Sequence, residues 1–170
     1  LEELRRGGVI GGVGAGINEG EMIPRFLDTV DLDFFLVALP YTLMDQEVLD
    51  RELPACQKRD VGIVIGAVFA SGILATGPVP GAKYRYRDAT PEEMDKAGRI
   101  QQICTAHGVP IAAAALQFTL GHPSVAAVIP GALTPDQVRA NAASFRHPIP
   151  AGLWSDLKSA GLLRPDAPTP

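Results

Sequence analysis

Three short apolar runs constrain the fold most: LDFFLVAL at residues 32–39, VGIVIGAVF at 61–69 and VAAVI at 125–129. Loop-forming residues bound each run, and the stretches between them carry apolar residues at a helical period, so strands and helices alternate. Nearly continuous apolar runs such as LDFFLVAL suit strands buried on both faces. A further strand precedes them in VIGGVGAGIN, residues 9–18, diluted with glycines. Strict alternation of this kind means an α/β fold, with about four parallel strands and flanking helices. The glycines of GGVGAG invite a dinucleotide-fingerprint reading, but that motif follows a strand and opens a helix, whereas these glycines lie inside a strand. Close backbone packing is the simpler cause.

The helices carry their own start and stop signals. LEELRRGG reads as the last turns of a helix stopped at Gly7, so the chain begins inside an element, as the C-terminal portion of something longer would. Asn18 ends the first strand and is placed to cap EGEMIPRFLDTV, in which Met22, Ile23, Phe26, Leu27 and Val30 follow a helical period. EVLDRELPACQKRD is helical, with Pro54 expected to split or kink it. ASGILATGPVPGAKYRYRDA, from residue 70 to 89, is a long loop rich in Gly and Pro, of the kind that serves as a lid or binding loop. TPEEMDKAGRIQQICTAHG opens with a Thr90–Glu93 capping box and Pro91 at the first helical position, which predicts a helix of about four turns. PIAAAALQFTLGHP is a second, alanine-rich helix suited to close packing. FRHPIPAGLWSDLKSAGLL contains the last helix and the only Trp, Trp154, and PDAPTP is expected to be a disordered end.

The run from Val125 to Asn141 reads as a strand, a tight loop and a capped helix. Pro130-Gly131 breaks the strand, Thr134 is a good N-cap, Pro135 takes the first helical position and Gln137 completes a Thr-x-x-Gln capping box. This is either an ordinary βα loop or a loop whose free N–H groups and positive helix end receive a phosphate.

Charge and cysteine usage exclude several classes. A formal net charge of -4 leaves no basic stripe for nucleic acid or an anionic membrane, so neither is expected as a partner. No apolar run approaches a membrane span of about 20 residues and no leader is recognisable, which points to a soluble, cytoplasmic protein. Cys56 and Cys104 lack metal-ligand spacing and read as free buried thiols. His107, His122 and His147 each lie beside Gly or Pro at the end of an element, where capping or surface roles outweigh catalysis. A doubly wound domain fits a chain of this length, whereas a complete eight-stranded barrel needs about 250 residues. The start inside a helix favours the C-terminal half of such a TIM (β/α)8 barrel, over residues 1–163, with 164–170 as a tail.

With the elements in that order, GGVGAGIN, LVALPYTLMDQ, VFASGILATG, GPVPGAKYRY and VAAVIPGALTPDQVRANAASFRHPIPAGLW together resemble the C-terminal half of an aldo-keto reductase. The likeness is closest to the bacterial aldose dehydrogenase branch, which includes L-fucose and D-threo-aldose dehydrogenases and pyridoxal 4-dehydrogenase. It extends over essentially the whole chain, and the A-S-G-I-L and I-P-G-x-x-x-P-x-Q-V-x-x-N patterns make it specific in combination. The resemblance implies a dinucleotide extended across the C-terminal mouth of a barrel, where barrel loops bind phosphate in general. It implies that Phe69, Ala70, Ser71, Gly72 and Ile73 contact the pyrophosphate, that Pro130, Gly131 and Ala132 hold the adenosine ribose, and that Gln137 and Asn141 face the adenine. The last two, four residues apart on one helix, share a face; the alternative for Gln137 is that it only closes the capping box. Asn18 is placed to bind the nicotinamide carboxamide.

Departures from the family pattern carry information too. Where NADP-preferring members place Lys, Ser and Arg around the 2'-phosphate, this chain has Gly131, Ala132 and Gln137, which supply no cation and so imply NAD over NADP. The family's stacking aromatic and its amide-bearing Gln match Gly66 and Ala38. Its catalytic Asp, Tyr, Lys and His lie on strands not in this chain, so no catalytic residue is assigned, and Tyr41, after the second apolar strand, is a substrate-wall or structural residue. No metal is implied. The expected activity is an NAD(P)-dependent oxidation of a sugar such as L-fucose, or of a small alcohol or aldehyde, completed by a missing N-terminal half-barrel or a second chain. The alternative is a non-catalytic half-barrel that binds nucleotide or serves in assembly.

Overall fold

The computed structural model of the protein describes residues 1–38 and 40–170. In chain order the elements are α1 (Glu2–Arg6), β1 (Gly14–Ile17), α2 (Met22–Thr29), β2 (Phe34–Ala38), α3 (Glu52–Lys58), β3 (Gly62–Gly66), α4 (Ile73–Thr76), β4 (Lys83–Tyr84), β5 (Arg87–Asp88), α5 (Pro91–Ala106), α6 (Ile111–Leu120), β6 (Val125–Ile129), α7 (Pro135–Arg146) and α8 (Ala151–Ser159). The sheet is parallel with strand order β1-β2-β3-β6, and β4 pairs with β5 as a separate antiparallel hairpin. This is the α/β sheet of four parallel strands that the alternation of apolar runs requires. Leu39, the last residue of the run 32–39, lies outside the described residues.

One face of the sheet carries the core. Phe35, Val37, Ile63 and Ile65 are buried with Ile23 of α2, Leu53 of α3, Ile100 of α5, Phe118 of α6 and Trp154 of α8. The alternate residues Phe34, Leu36, Val64 and Ile129 lie on the opposite face, where Phe34 is 37% and Ile129 51% exposed. Burial on both faces, expected from the continuous apolar runs, is therefore met on one face only, because the helices pack on the Phe35 and Ile63 side. On the open face at Gly14 a Cβ would stand 2.5 Å from the ring of Phe34, its register partner, so a larger residue there would have to displace that exposed ring.

Several boundaries differ from the sequence expectation. The strand expected over 9–18 shortens to Gly14–Ile17 because Asp33 Oδ2 accepts the Val13 N–H at 2.6 Å and is itself held by Arg5 at 2.9 Å, so side chains tether this approach. Helix α1 stops through Gly8, at φ +70, while Gly7 stays right-handed. Asn18 is not the cap of α2; the helix begins after Glu21, with no side-chain cap. Pro54 is the third residue of α3, where its missing N–H costs no helical bond, and the split falls before it, between a 3-10 turn at Glu47–Leu49 and α3. Helix α5 has its capping box complete, Thr90 and Glu93 exchanging both bonds.

The C-terminal PDAPTP segment is docked rather than disordered. Ala167 is 1% exposed, the Arg164 N–H donates to Gln46 Oε1 at 3.2 Å, and Arg164 pairs with Asp50 at 2.5 Å. A Cβ at Gly121 would meet the backbone of Thr169 at 2.9 Å, which is why the end of α6 carries a glycine here. Cys56 and Cys104 are free and buried, and burial pushes each thiol up to about 11. No single helix among the described residues is long and apolar enough to cross a membrane.

Candidate functional site

Parallel strands place the loops after β1, β2, β3 and β6 on one rim, and the sequence-predicted site residues fall in these loops or on the helices that leave them, Ile73 on α4 and Gln137 and Asn141 on α7. β3 and β6 are neighbours, with Gly66 paired to Ile129, so the loop at Phe69–Ile73 and the loop at Pro130–Ala132 leave from adjacent strand ends. Ala38 is in turn the partner of Gly66. The two small residues that match the family's Gln and stacking aromatic are thus side by side on the open face, and a Cβ at Gly66 would meet Leu36, Ala38 and the Val37 carbonyl at ordinary contact distance.

The loop after β3 concentrates unusual backbone. Ala67, Ala70 and Ser71 have φ of 52, 48 and 62, and Gly72 follows at 108. Left-handed φ at a residue with a Cβ costs of the order of 1–3 kcal/mol, and three such residues within five positions is a concentration seen where a loop is shaped for a ligand. Ala70 and Ile73 are buried, so only their backbone is available; Ser71 and Gly72 are half-buried, and a Cβ at Gly72 would meet open space. The Ser71 hydroxyl oxygen accepts the Tyr86 N–H at 3.1 Å. Phe69 packs against the core.

After β6 the chain is open. Residues 131–140 are all exposed and α7 buries no side chain, although Thr134 caps it by accepting the Gln137 N–H at 3.2 Å. The capping box is not completed as the Thr-x-x-Gln spacing suggested. Gln137 Oε1 instead accepts the Leu133 N–H at 2.6 Å, and Asn141 Nδ2 donates to Gly131 O at 3.2 Å. Both side chains therefore bind the 131–133 loop, each through half of its amide. Arg139 is paired with Asp136 at 2.6 Å.

Asn18 is exposed at the end of β1, in a cleft of about 550 Å³ shared with Pro40, Arg51 and Arg85. Tyr41 is fully buried between Phe118, at a ring-centroid distance of 5.2 Å, and His122, at 6.0 Å, and its hydroxyl has no partner among the described residues. Tyr41 has no exposed face in this chain. Desolvation pushes its phenol above the usual range.

The histidines divide. His107 follows α5 and its Nε2 meets Asp156 at 2.7 Å, a helix-end role. His122 is 5% exposed, its Nδ1 accepts the Ser124 N–H at 3.1 Å, and burial lowers its pKa below the ordinary 6.5. The folded state binds this proton less readily than the unfolded chain, so the contribution is fully present above about pH 6.5 and is lost as pH falls through that value toward the lower folded pKa. The melting temperature should therefore drop between pH 7 and 5 more in the wild type than in His122→Asn; parallel profiles would refute this. Among the described residues no three His, Cys, Asp or Glu side chains come together to hold a metal ion.

What sequence reasoning missed is the β4–β5 hairpin, which joins the site through Tyr86. The period-two alternation of Lys83-Tyr84-Arg85-Tyr86-Arg87 was its signal, masked by the Gly and Pro residues before it. Its central residues, Arg85 and Tyr86, have φ of 49 and 63, as a two-residue hairpin turn demands.

Comparison with known proteins agrees with this fold. The model of the Aldo/keto reductase family matches residues 1–161. The chain belongs to that family. This aldo/keto reductase chain is 42% identical over 163 residues to pyridoxal 4-dehydrogenase of Microbacterium luteolum, covering 96% of the chain and 48% of that protein. It is 39% identical over 171 aligned residues to D-threo-aldose 1-dehydrogenase of Pseudomonas sp, covering 100% of the chain and 51% of that protein. Among solved structures it superposes on the holo form of aldo-keto reductase AKR11C1 from Bacillus halodurans with a TM-score of 0.74 and 26% identity, over 93% of the chain and 52% of that structure. The aldo/keto reductase chain thus spans about half the length of the curated relatives it matches.

Proposed function

We propose that this chain is the dinucleotide-holding half of an NAD-dependent oxidoreductase that oxidises a sugar, or a small alcohol or aldehyde. The observation that carries the reading is the pairing of a strained Ser71-Gly72 loop with the open Pro130–Ala132 loop on adjacent strands. Phosphate oxygens would be met by the Ser71 hydroxyl and by backbone of Phe69–Ile73, where the absence of a Cβ at Gly72 permits close approach. The ribose would lie against Pro130, Gly131 and Ala132. Gln137 keeps its amide NH2 and Asn141 its carbonyl oxygen for a ligand, a donor and an acceptor that match the N7 and N6 edge of adenine. Asn18 would face the carboxamide end. When bound, the dinucleotide supplies hydride transfer; an acid/base group from outside this chain would move the substrate proton.

NAD is preferred to NADP on this reading because Gly131, Ala132 and Gln137 bring no charge and Arg139 is already engaged by Asp136. The relatives named for pyridoxal and D-threo-aldose oxidation support a polar carbonyl, alcohol or sugar substrate. The test is turnover of L-fucose, other aldoses and pyridoxal by the intact protein, followed by nicotinamide absorbance with NAD and then NADP. Turnover with NAD supports the reading, faster turnover with NADP overturns the cofactor assignment, and nucleotide binding without turnover of any of them leaves a non-catalytic binding module.

A further inference from the structure

The hairpin and the phosphate loop meet at a single hydrogen bond between two backbone-strained residues. Tyr86 donates its N–H to Ser71 Oγ at 3.1 Å, with φ of 63 and 62 at the two positions. A serine hydroxyl has one proton and two lone pairs. With a lone pair committed to Tyr86, its proton is directed elsewhere, and it has no acceptor among the described residues.

The hairpin is itself fixed from two other sides. Arg85 pairs with Asp45, a buried residue after β2, and Arg87 grips Glu93 of the α5 capping box through two bonds of 2.7 and 2.8 Å. Lys83 closes the hairpin on Asp88 at 2.5 Å. The Tyr86 side chain is 72% exposed and adds little packing, so what the tip contributes to the rim is a peptide N–H in a fixed place.

We propose that the β4–β5 hairpin is a positioning element of the dinucleotide site, in which the Tyr86 N–H holds the Ser71 hydroxyl with its proton toward the pyrophosphate. This rests on the cofactor reading above and adds a residue to it. Binding and hairpin order are then reciprocally linked, since a pyrophosphate that accepts from Ser71 strengthens the Tyr86 bond. The exposed Lys83, Arg85 and Arg87 make that linkage visible as protection of the hairpin from trypsin.

The experiment measures the affinities of NAD, ADP and adenosine by calorimetry for the wild type, Ser71→Ala, an amide-to-ester replacement that removes the Tyr86 N–H while leaving φ alone, and the two changes combined. Each single variant should weaken NAD and ADP by about 10-fold, the range of a hydrogen bond to a charged group. The double variant should be no weaker than the weaker single, and adenosine, which lacks phosphate, should be unaffected. Proline cannot serve at this position, because its ring holds φ at about -65 and Tyr86 has φ of 63. Losses that multiply in the double variant, an adenosine affinity that falls in parallel, or no effect at Tyr86 each overturn the inference. A wild type that binds neither NAD nor ADP overturns the cofactor reading itself, and this inference falls with it.

Discussion

Replacing Phe118 by alanine should destabilise the fold by about 3–5 kcal/mol. Phe118 is fully buried at the middle of an aromatic chain, 5.2 Å from the Tyr41 ring and 6.3 Å from that of Trp154. It therefore joins three elements: α6, which carries it, α8, and the loop after β2. Its neighbours cannot collapse into the space it leaves, because Tyr41 is also braced by His122 and Trp154 belongs to a helix whose Leu153 and Leu157 are buried as well. Urea unfolding followed by Trp154 fluorescence reads the loss directly. A change below about 1 kcal/mol would mean that these rings do not pack as described.

The second large effect concerns the cofactor. Gly131→Lys should raise NADP affinity by about 10-fold or more, the value of one charge-assisted bond to the 2'-phosphate, while leaving NAD nearly unchanged. The position tolerates the change: a Cβ at Gly131 meets nothing within 4 Å and its φ is not left-handed, so neither clash nor backbone strain opposes the side chain. The ratio of kcat/KM for the two dinucleotides, measured on the intact protein, is the readout. An unchanged ratio would place the ribose elsewhere than against the Pro130–Ala132 loop.

The sequence made the architecture legible because its strongest signals were long-range in the same sense as the fold. Apolar runs at 32–39, 61–69 and 125–129 lie far apart, and only a parallel sheet with helical crossovers joins them. Boundaries were less legible wherever a side chain substitutes for a ladder or a cap. Asp33 delays the start of the first strand by taking the Val13 N–H, and Gln137 reaches Leu133 instead of Thr134. Neither partner choice is written in spacing alone. The docked tail was hidden for another reason: its composition reads as disordered, while what fixes it is Arg164 meeting Asp50 and Gln46, more than a hundred positions earlier. At the candidate site, family patterns pointed to the loops after β3 and β6, but the tie between Ser71 and Tyr86 depends on left-handed backbone at non-glycine residues, which composition gives no reason to expect.

The two cysteines have a practical meaning for the experiments this protein invites. Both thiols are fully buried and poorly ionised, so alkylating probes at neutral pH find almost nothing to react with in the native state. The described residues are in effect blank to thiol labelling. A single cysteine introduced at the exposed Tyr86 position would then be the one reactive thiol among the described residues, and a fluorophore or spin label there would report directly on the hairpin.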